Sequence, residues 1–220
     1  MKNLSRLFFV AVLLISFSTS NAQDKNNPWS ITIGTNAVDA YPVGEDTPQG
    51  DYFDEYFNVQ DHWNIMPSIS NIGVSRYLSD GFTFNASGSI NKIEKFGSNF
   101  DAVTGEESTN LVDDLTYYAI DGGVSYSFME LIKSNKFDPY LGVGGGYSWL
   151  DDIGAGTLNG TLGLKFWINE KLGIVAQSTY KHSFEDYLPK HFQHSFGITF
   201  KFGGTDTDND GIYDQDDACP

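Results

Sequence analysis

The chain of 220 residues has a single cysteine, Cys219, so no internal disulfide framework braces it, even in an oxidising compartment where such bridges form. Basic residues are scarce as well: 13 Lys and Arg stand against 29 Asp and Glu, a formal charge of −16. Binding a phosphate backbone relies on clustered Lys and Arg, so nucleic acid is excluded as a partner. Long hydrophobic runs are missing after residue 22, because every apolar stretch is broken within a few residues by Gly, Ser, Asn or a charge. None approaches the ~20 residues that a membrane-spanning helix needs. If the chain enters a membrane, it does so as a closed β-barrel. Sustained helical spacing is absent too.

The first residues carry Lys2 and Arg6, an apolar run from Leu7 to Phe17, and small residues at Ser20 and Ala22. This is the layout of a secretory signal peptide over residues 1–22, cleaved after Ala22. A transmembrane anchor is the alternative, but the run is about half the ~20 residues required. The mature chain would begin at Gln23.

From Trp29 onward the chain is rich in Gly, Ser, Thr and aromatics, and apolar residues recur at every second position, the strand period. In Gln193 to Phe202, Phe196, Ile198, Phe200 and Phe202 alternate with Ser195, Gly197, Thr199 and Lys201. Leu158 to Phe166 and Leu172 to Tyr180 repeat the pattern, as do Lys136 to Trp149, Leu115 to Phe128, Phe82 to Ile90 and Trp29 to Ala37. In Ile65 to Tyr77 the apolar parity changes between Ile69 and Ile72, which predicts a bulge. The sum is an all-β chain of eight antiparallel up-and-down strands, a transmembrane barrel over residues 23–204. Strands of roughly 10 residues, rising ~3.3 Å each and tilted near 40°, stand about 25 Å tall, the apolar band of an outer-membrane barrel.

The connections fit that architecture. Ser79 to Gly81, Glu130 to Asn135 and Asn169 to Lys171 are short, whereas Asp39 to Asn64 and Lys92 to Asp114 are long and acidic. Such alternation is the asymmetry of periplasmic turns and extracellular loops, and an even strand count puts both chain ends in the periplasm. Asp151 to Gly154 departs from it by being short. Aromatics near strand ends, among them Trp29, Phe82, Tyr126, Trp149, Trp167 and Phe202, would form interfacial girdles. A soluble barrel would bury the same rings inside. Yet the opposite face, with Gly142, Gly144, Gly146, Asp121, Lys165, Gln177 and Lys201, is a poor core and suits a narrow polar lumen in contact with outer-membrane lipid only on its far side.

After Gly204 the composition turns to aspartate. With Asp206 as position 1, oxygens fall at Asp208, Asp210, the Ile212 carbonyl, Asp214 and Asp217, with Gly211 at the sharp turn. Such spacing suits calcium, which takes six to eight oxygens. Asp217 replaces the bidentate Glu of an EF-hand and no flanking helix is legible, so affinity should fall below a sensor's. An acidic solvated linker is the bland alternative.

The string from Asp206 to Pro220, Asp-x-Asp-x-Asp-Gly-x-x-Asp-x-x-Asp-x-Cys-Pro, resembles a thrombospondin type 3 repeat as found in OmpA-like proteins of the Bacteroidetes type. The barrel, with its Val74-Ser75-Arg76-Tyr77-Leu78 strand end and its Phe196-Gly197-Ile198-Thr199-Phe200 closing strand, is similar to the barrels of that family. The resemblance implies a structural protein of the Gram-negative outer membrane, whose repeats form a periplasmic, calcium-binding linker over residues 205–220. In that family the linker leads to a C-terminal domain that binds peptidoglycan. That domain is not in this sequence, which is therefore expected to be a piece of a longer protein.

His182, Ser183, Glu185 and Asp186 are the best acid, base and nucleophile cluster, but no strained nucleophile turn or triad spacing accompanies them. The remaining histidines are His62, His191 and His194; the last two, at i and i+3, lack the further ligands of a zinc site. An enzyme is therefore not expected. A small porin is a separate alternative, limited because eight strands leave an interior filled by side chains. The acidic loops could also meet an extracellular partner, which would make the protein an adhesion or binding barrel.

Overall fold

The computed structural model describes residues 27–41, 56–105 and 107–204, together with Asp214 and Ala218. Eight strands follow in order: β1 (Trp29–Asp39), β2 (Trp63–Ser79), β3 (Phe82–Phe100), β4 (Glu107–Ser127), β5 (Phe137–Leu150), β6 (Ile153–Trp167), β7 (Leu172–Ser183) and β8 (His191–Phe202). Each pairs antiparallel with the next, and β1 pairs with β8 in an unbroken ladder from Trp29↔Phe202 to Asp39↔Phe192. The sheet closes into an up-and-down barrel and leaves no edge strand. The first and last strands begin and end at the same rim.

The polarity of the two faces is inverted relative to a water-soluble barrel. Outward Val143 is 71% exposed and Leu162 63%, whereas inward Lys181 and Ser148 are wholly buried. The two-residue period of each strand sorts the sequence between an apolar exterior and a hydroxyl-, amide- and charge-lined lumen. The calcium ligands proposed from sequence lie outside the described residues, Asp214 apart, and so does the signal peptide.

The parity change in β2 marks a real irregularity. Gly34 pairs with Asn71 but Asn36 pairs with Met66, so residues 67–70 bulge out of the ladder. Side-chain amides fill the gap. The Asn64 carboxamide oxygen accepts the Glu94 and Lys95 amides, each at 2.8 Å, and its nitrogen donates to the Val38 and Lys95 carbonyls. Asn36 donates to the Ser70 and Ile90 carbonyls, and Asn91 donates to Asn36 Oδ1 and the Asn64 carbonyl. Three buried asparagines thereby stand in for missing main-chain pairs, as buried backbone groups require.

Two cross-strand glycine pairs let the wall curve tightly. Gly123 faces Gly144, and Gly34 faces Gly197. A Cβ on Gly144 would sit 2.2 Å from the Gly122 carbonyl oxygen, and one on Gly34 equally close to that of Phe196.

Two expectations need correction. The segment Lys92 to Asp114 is not a loop: β3 and β4 continue through it as a long hairpin, with register shifts at Ile93/Lys95 and Lys95/Ser98, and only residues 101–106 connect them. Its length and polarity resemble a loop because its apolar residues, Ile93, Phe96, Val112 and Leu115 among them, follow no strict alternation where the register shifts. Trp167 is not a girdle residue. It shares parity with Lys165, faces the lumen and is fully buried.

Candidate functional site: a lumen sealed in layers

The lumen is stacked in layers. At the rim opposite the chain ends, Val38, Ile93, Leu150 and Ala155 converge from four strands with Leu188 of the β7–β8 connection, forming an apolar plug backed by Phe96, Val112 and Leu115. Ile93 belongs to the hairpin stretch read from sequence as loop, so the plug was not legible there.

Below the plug lies a hydrogen-bonded charge cluster. Lys181 Nζ donates to both carboxylate oxygens of Asp121, each at 2.7 Å, and Asn159 Nδ2 donates to Asp121 Oδ1 at 2.7 Å. Tyr117 Oη lies 2.9 Å from His191 Nε2 and 3.3 Å from Ser148 Oγ, and Lys181 Nζ is 3.5 Å from the same Ser148. His191 Nδ1 is 2.9 Å from the Pro189 carbonyl. The wall opposite Asp121 is Gly146, where a Cβ would lie 2.2 Å from Asp121 Oδ1. Glycine at that position is what gives the carboxylate its room.

A cavity of about 120 Å³ occupies the middle, bordered by Asp121, Ser125, Tyr140, Thr161, Lys165 and Gln177. Its lining mixes polar and apolar groups, and it is large enough for a few waters. Toward the chain ends, Trp167, Asp138 and Lys201 close the floor: Ser127 Oγ donates to Asp138 Oδ1 at 2.5 Å, and Lys201 Nζ sits 4.4 Å from the Trp167 ring centroid. Tyr140 Oη donates to Gln177 Oε1 at 2.6 Å, with Lys165 Nζ 5.0 Å above the Tyr140 ring. Each buried cation thus has a carboxylate or an aromatic face nearby, which is how a narrow polar interior is kept stable.

The residues weighed for catalysis are not brought together. His182 points outward beside Tyr180, whereas Ser183 faces inward and donates to the Glu185 carbonyl. His191 faces the lumen and His194 the exterior, so the pair cannot share a metal ion. Among the described residues no group of three or more His, Cys, Asp or Glu is close enough to hold one. His62 lies in a loop, as expected, but is buried with its ring 4.3 Å from that of Tyr41. On the exposed β3–β4 connection, Asp101 accepts the Val103 and Thr104 amides, which hold its carboxyl below the usual carboxylate range.

On the exterior, the rows of neighbouring side chains are uneven. Tyr180, Phe192, Asp39 and Trp63 form one row, and Tyr56 of the β1–β2 connection packs edge-on to Phe192 and His194. Trp63 stacks on His194 with centroids 3.9 Å apart. Asp39, Phe192 and His194 are consequently buried although they point away from the lumen.

No protein-family model and no curated protein matches the chain. Among solved structures it is similar to the outer membrane protein OprG from Pseudomonas aeruginosa, at 12% identity and a TM-score of 0.52, covering 83% of this chain and 99% of that one. Neisserial surface protein A matches at 13% identity and 0.49, covering 79% and 97%. The attachment invasion locus protein of Yersinia pestis matches at 15% and 0.47, covering 80% and 99%. At 12% identity the likeness to OprG concerns the fold alone, and it agrees with the eight-stranded up-and-down barrel found here.

Proposed function

We propose that the chain is a structural barrel of the Gram-negative outer membrane, of the OmpA-like kind, rather than an enzyme or an open pore. The observation that carries this is the inverted polarity combined with the sealed lumen: the exterior suits hydrocarbon, and the interior is closed by the apolar plug, the Asp121–Lys181 layer and the Trp167 floor, with a cavity of only about 120 Å³ between them. Both chain ends face the periplasm in this reading. Residues 205–220 then form a thrombospondin type 3-like linker in which Asp206, Asp208, Asp210, the Ile212 carbonyl, Asp214 and Asp217 hold calcium. A further domain beyond that linker would reach peptidoglycan and tie membrane to wall. A wide porin is disfavoured because the apolar plug and the Asp121–Lys181 layer lie across the conduction path.

The test is to express residues 23–220, refold them with detergent, and follow heat-modifiable gel migration with circular dichroism. A compact β-rich species that needs detergent and shifts on boiling is expected, with no steady single-channel conductance in planar bilayers. A monomer soluble without detergent would overturn the membrane reading.

A surface-binding barrel is the second reading. It is favoured by the β3–β4 hairpin, which runs past the other strands and leaves Val103 95% and Leu111 74% exposed. Deleting residues 96–110 would abolish partner binding on that reading and leave detergent folding intact.

A further inference from the structure

The barrel's outer wall is not uniform. Following the pairing around the sheet, one row reads Leu162, Ser178, His194, Ala37 and Ile65, and the row below it reads Leu164, Ala176, Phe196 and Thr35. The row below that is large throughout: Phe166, Ile174, Ile198, Ile33 and Ile72. Small side chains at Ser178, Ala176, Ala37 and Thr35 therefore form the floor of a groove between bulky walls. The groove has a volume of about 600 Å³, and its lining is almost wholly apolar. This is the size range of a ligand site rather than of a packing defect.

Its upper end is built differently. Tyr56 reaches from the β1–β2 connection across to β7, where its hydroxyl donates to Ser178 Oγ at 2.7 Å. Trp63 Nε1 donates to the Tyr56 carbonyl at 3.1 Å, and the Trp63 ring lies on His194. His194 borders the groove and has a ring nitrogen, Nε2, buried without a hydrogen-bond partner among the described residues. Tyr, Trp and His, apolar in body and polar at the tip, are the side chains that settle at the boundary between hydrocarbon and headgroups.

We infer that this groove seats one acyl chain of an outer-leaflet membrane lipid, with the lipid's polar end at the Tyr56–Trp63–His194 rim. The inference rests on the membrane-barrel reading. On that reading this face meets lipid tails, and the floor lies on the half of the wall away from the chain ends, the half that meets the outer leaflet. A second copy of this chain is a poorer occupant, because the wall of an identical barrel is too broad to enter a trough about 7 Å wide. A single tail is flexible and narrow, and it fits a trough that runs between side-chain rows about 7 Å apart. Tyr56, held to Ser178 at the upper end of the trough, makes the seat more than a patch of bilayer boundary.

The experiment uses the full chain refolded in detergent micelles with added phospholipid, then examined by native mass spectrometry as the micelle is stripped away. Wild type should keep one lipid per barrel. Ala176→Phe, which fills the floor, should lower that retention by roughly tenfold or more, since each buried methylene displaced weakens binding several-fold. Val143→Phe, equally outward on β5, should retain lipid like wild type. Ala176→Leu serves in place of Ala176→Phe if the larger ring prevents folding. No retained lipid in wild type, or equal retention in the filled variant, overturns the inference. Heat-modifiable migration in the same samples separates the two levels: a barrel that folds in micelles but keeps no lipid sinks only the groove, whereas a chain that ignores micelles sinks the membrane reading itself.

Discussion

Replacing Asp121 by Ala should be among the most damaging single changes in the lumen. Lys181 is wholly buried, and both of its strong contacts go to the Asp121 carboxylate at 2.7 Å. With that carboxylate gone, the ammonium keeps only Ser148 Oγ at 3.5 Å, and Asn159 loses its acceptor. Stranding one partner of a buried ion pair typically costs about 3–5 kcal/mol. The neighbouring cavity offers some water to the exposed charge, so the lower part of that range is expected. Removing both charges is a different perturbation: Asp121→Ala with Lys181→Met leaves an apolar chain where an ion pair stood, and such replacements are often neutral. The assay is urea unfolding of the detergent-refolded barrel, scored by the folded fraction on unboiled gels. The single variant should lose several kcal/mol and the double variant should recover most of it. Equal stability of wild type, single and double variants would refute the idea that this pair organises the lumen. So would a double variant no better than the single.

Three further outcomes follow from particular residues. Asn64→Ala should cost about 2–4 kcal/mol, since four hydrogen bonds that patch the β2 bulge are lost at roughly 1 kcal/mol each, and amide exchange at Glu94 and Lys95 should accelerate. Gly144→Ala drives a Cβ to 2.2 Å from the Gly122 carbonyl oxygen and should cost about 1–3 kcal/mol in the same unfolding assay; Gly160→Ala, with nothing within 4 Å of its Cβ, should stay within about 0.5 kcal/mol of wild type. Calorimetric titration of the full chain with calcium should give a Kd of roughly 10⁻⁴–10⁻³ M, weakened by Asp210→Asn; a heat-silent titration would return the tail to a solvated acidic linker.

Strand number, closure and facing were legible in the sequence because each depends only on alternation. The parity of Phe196 to Phe202, or of Leu141 to Trp149, fixes which side each residue occupies, and the parity slip near Ile69 located the β2 bulge to within three residues. Residue type alone points Trp167 to a girdle, whereas its parity with Lys165 two positions earlier puts it in the lumen, where it is buried. Other features could not be read, because they depend on partners far apart in the chain. Asp121 and Lys181 are 60 positions apart, and their pairing depends on the stagger that brings β4, β6 and β7 level across the lumen. The extended hairpin was hidden for another reason. Where its register shifts, its apolar residues follow no strict alternation, so its composition looks like loop.

The layered lumen also bears on where this protein's specificity can reside. Paired glycines let the wall bend so tightly that facing strands leave room for little beyond their own side chains and a few waters. Within that section Lys165, Lys181 and Lys201 must each lie against a carboxylate or an aromatic ring. Loosening the interior to admit a solute would strand those charges, at a cost of several kcal/mol apiece. The exterior carries no such constraint, because a small residue exchanged for a large one there merely trades protein contact for lipid contact. Ala176 sits exposed on the wall, where a larger apolar side chain would fit without strain, and the tip of the hairpin, where Val103 is 95% exposed, is similarly free of packing demands. Variation in what a barrel of this section binds should therefore appear first on its wall and its hairpin, with the lumen kept as a rigid axle for both.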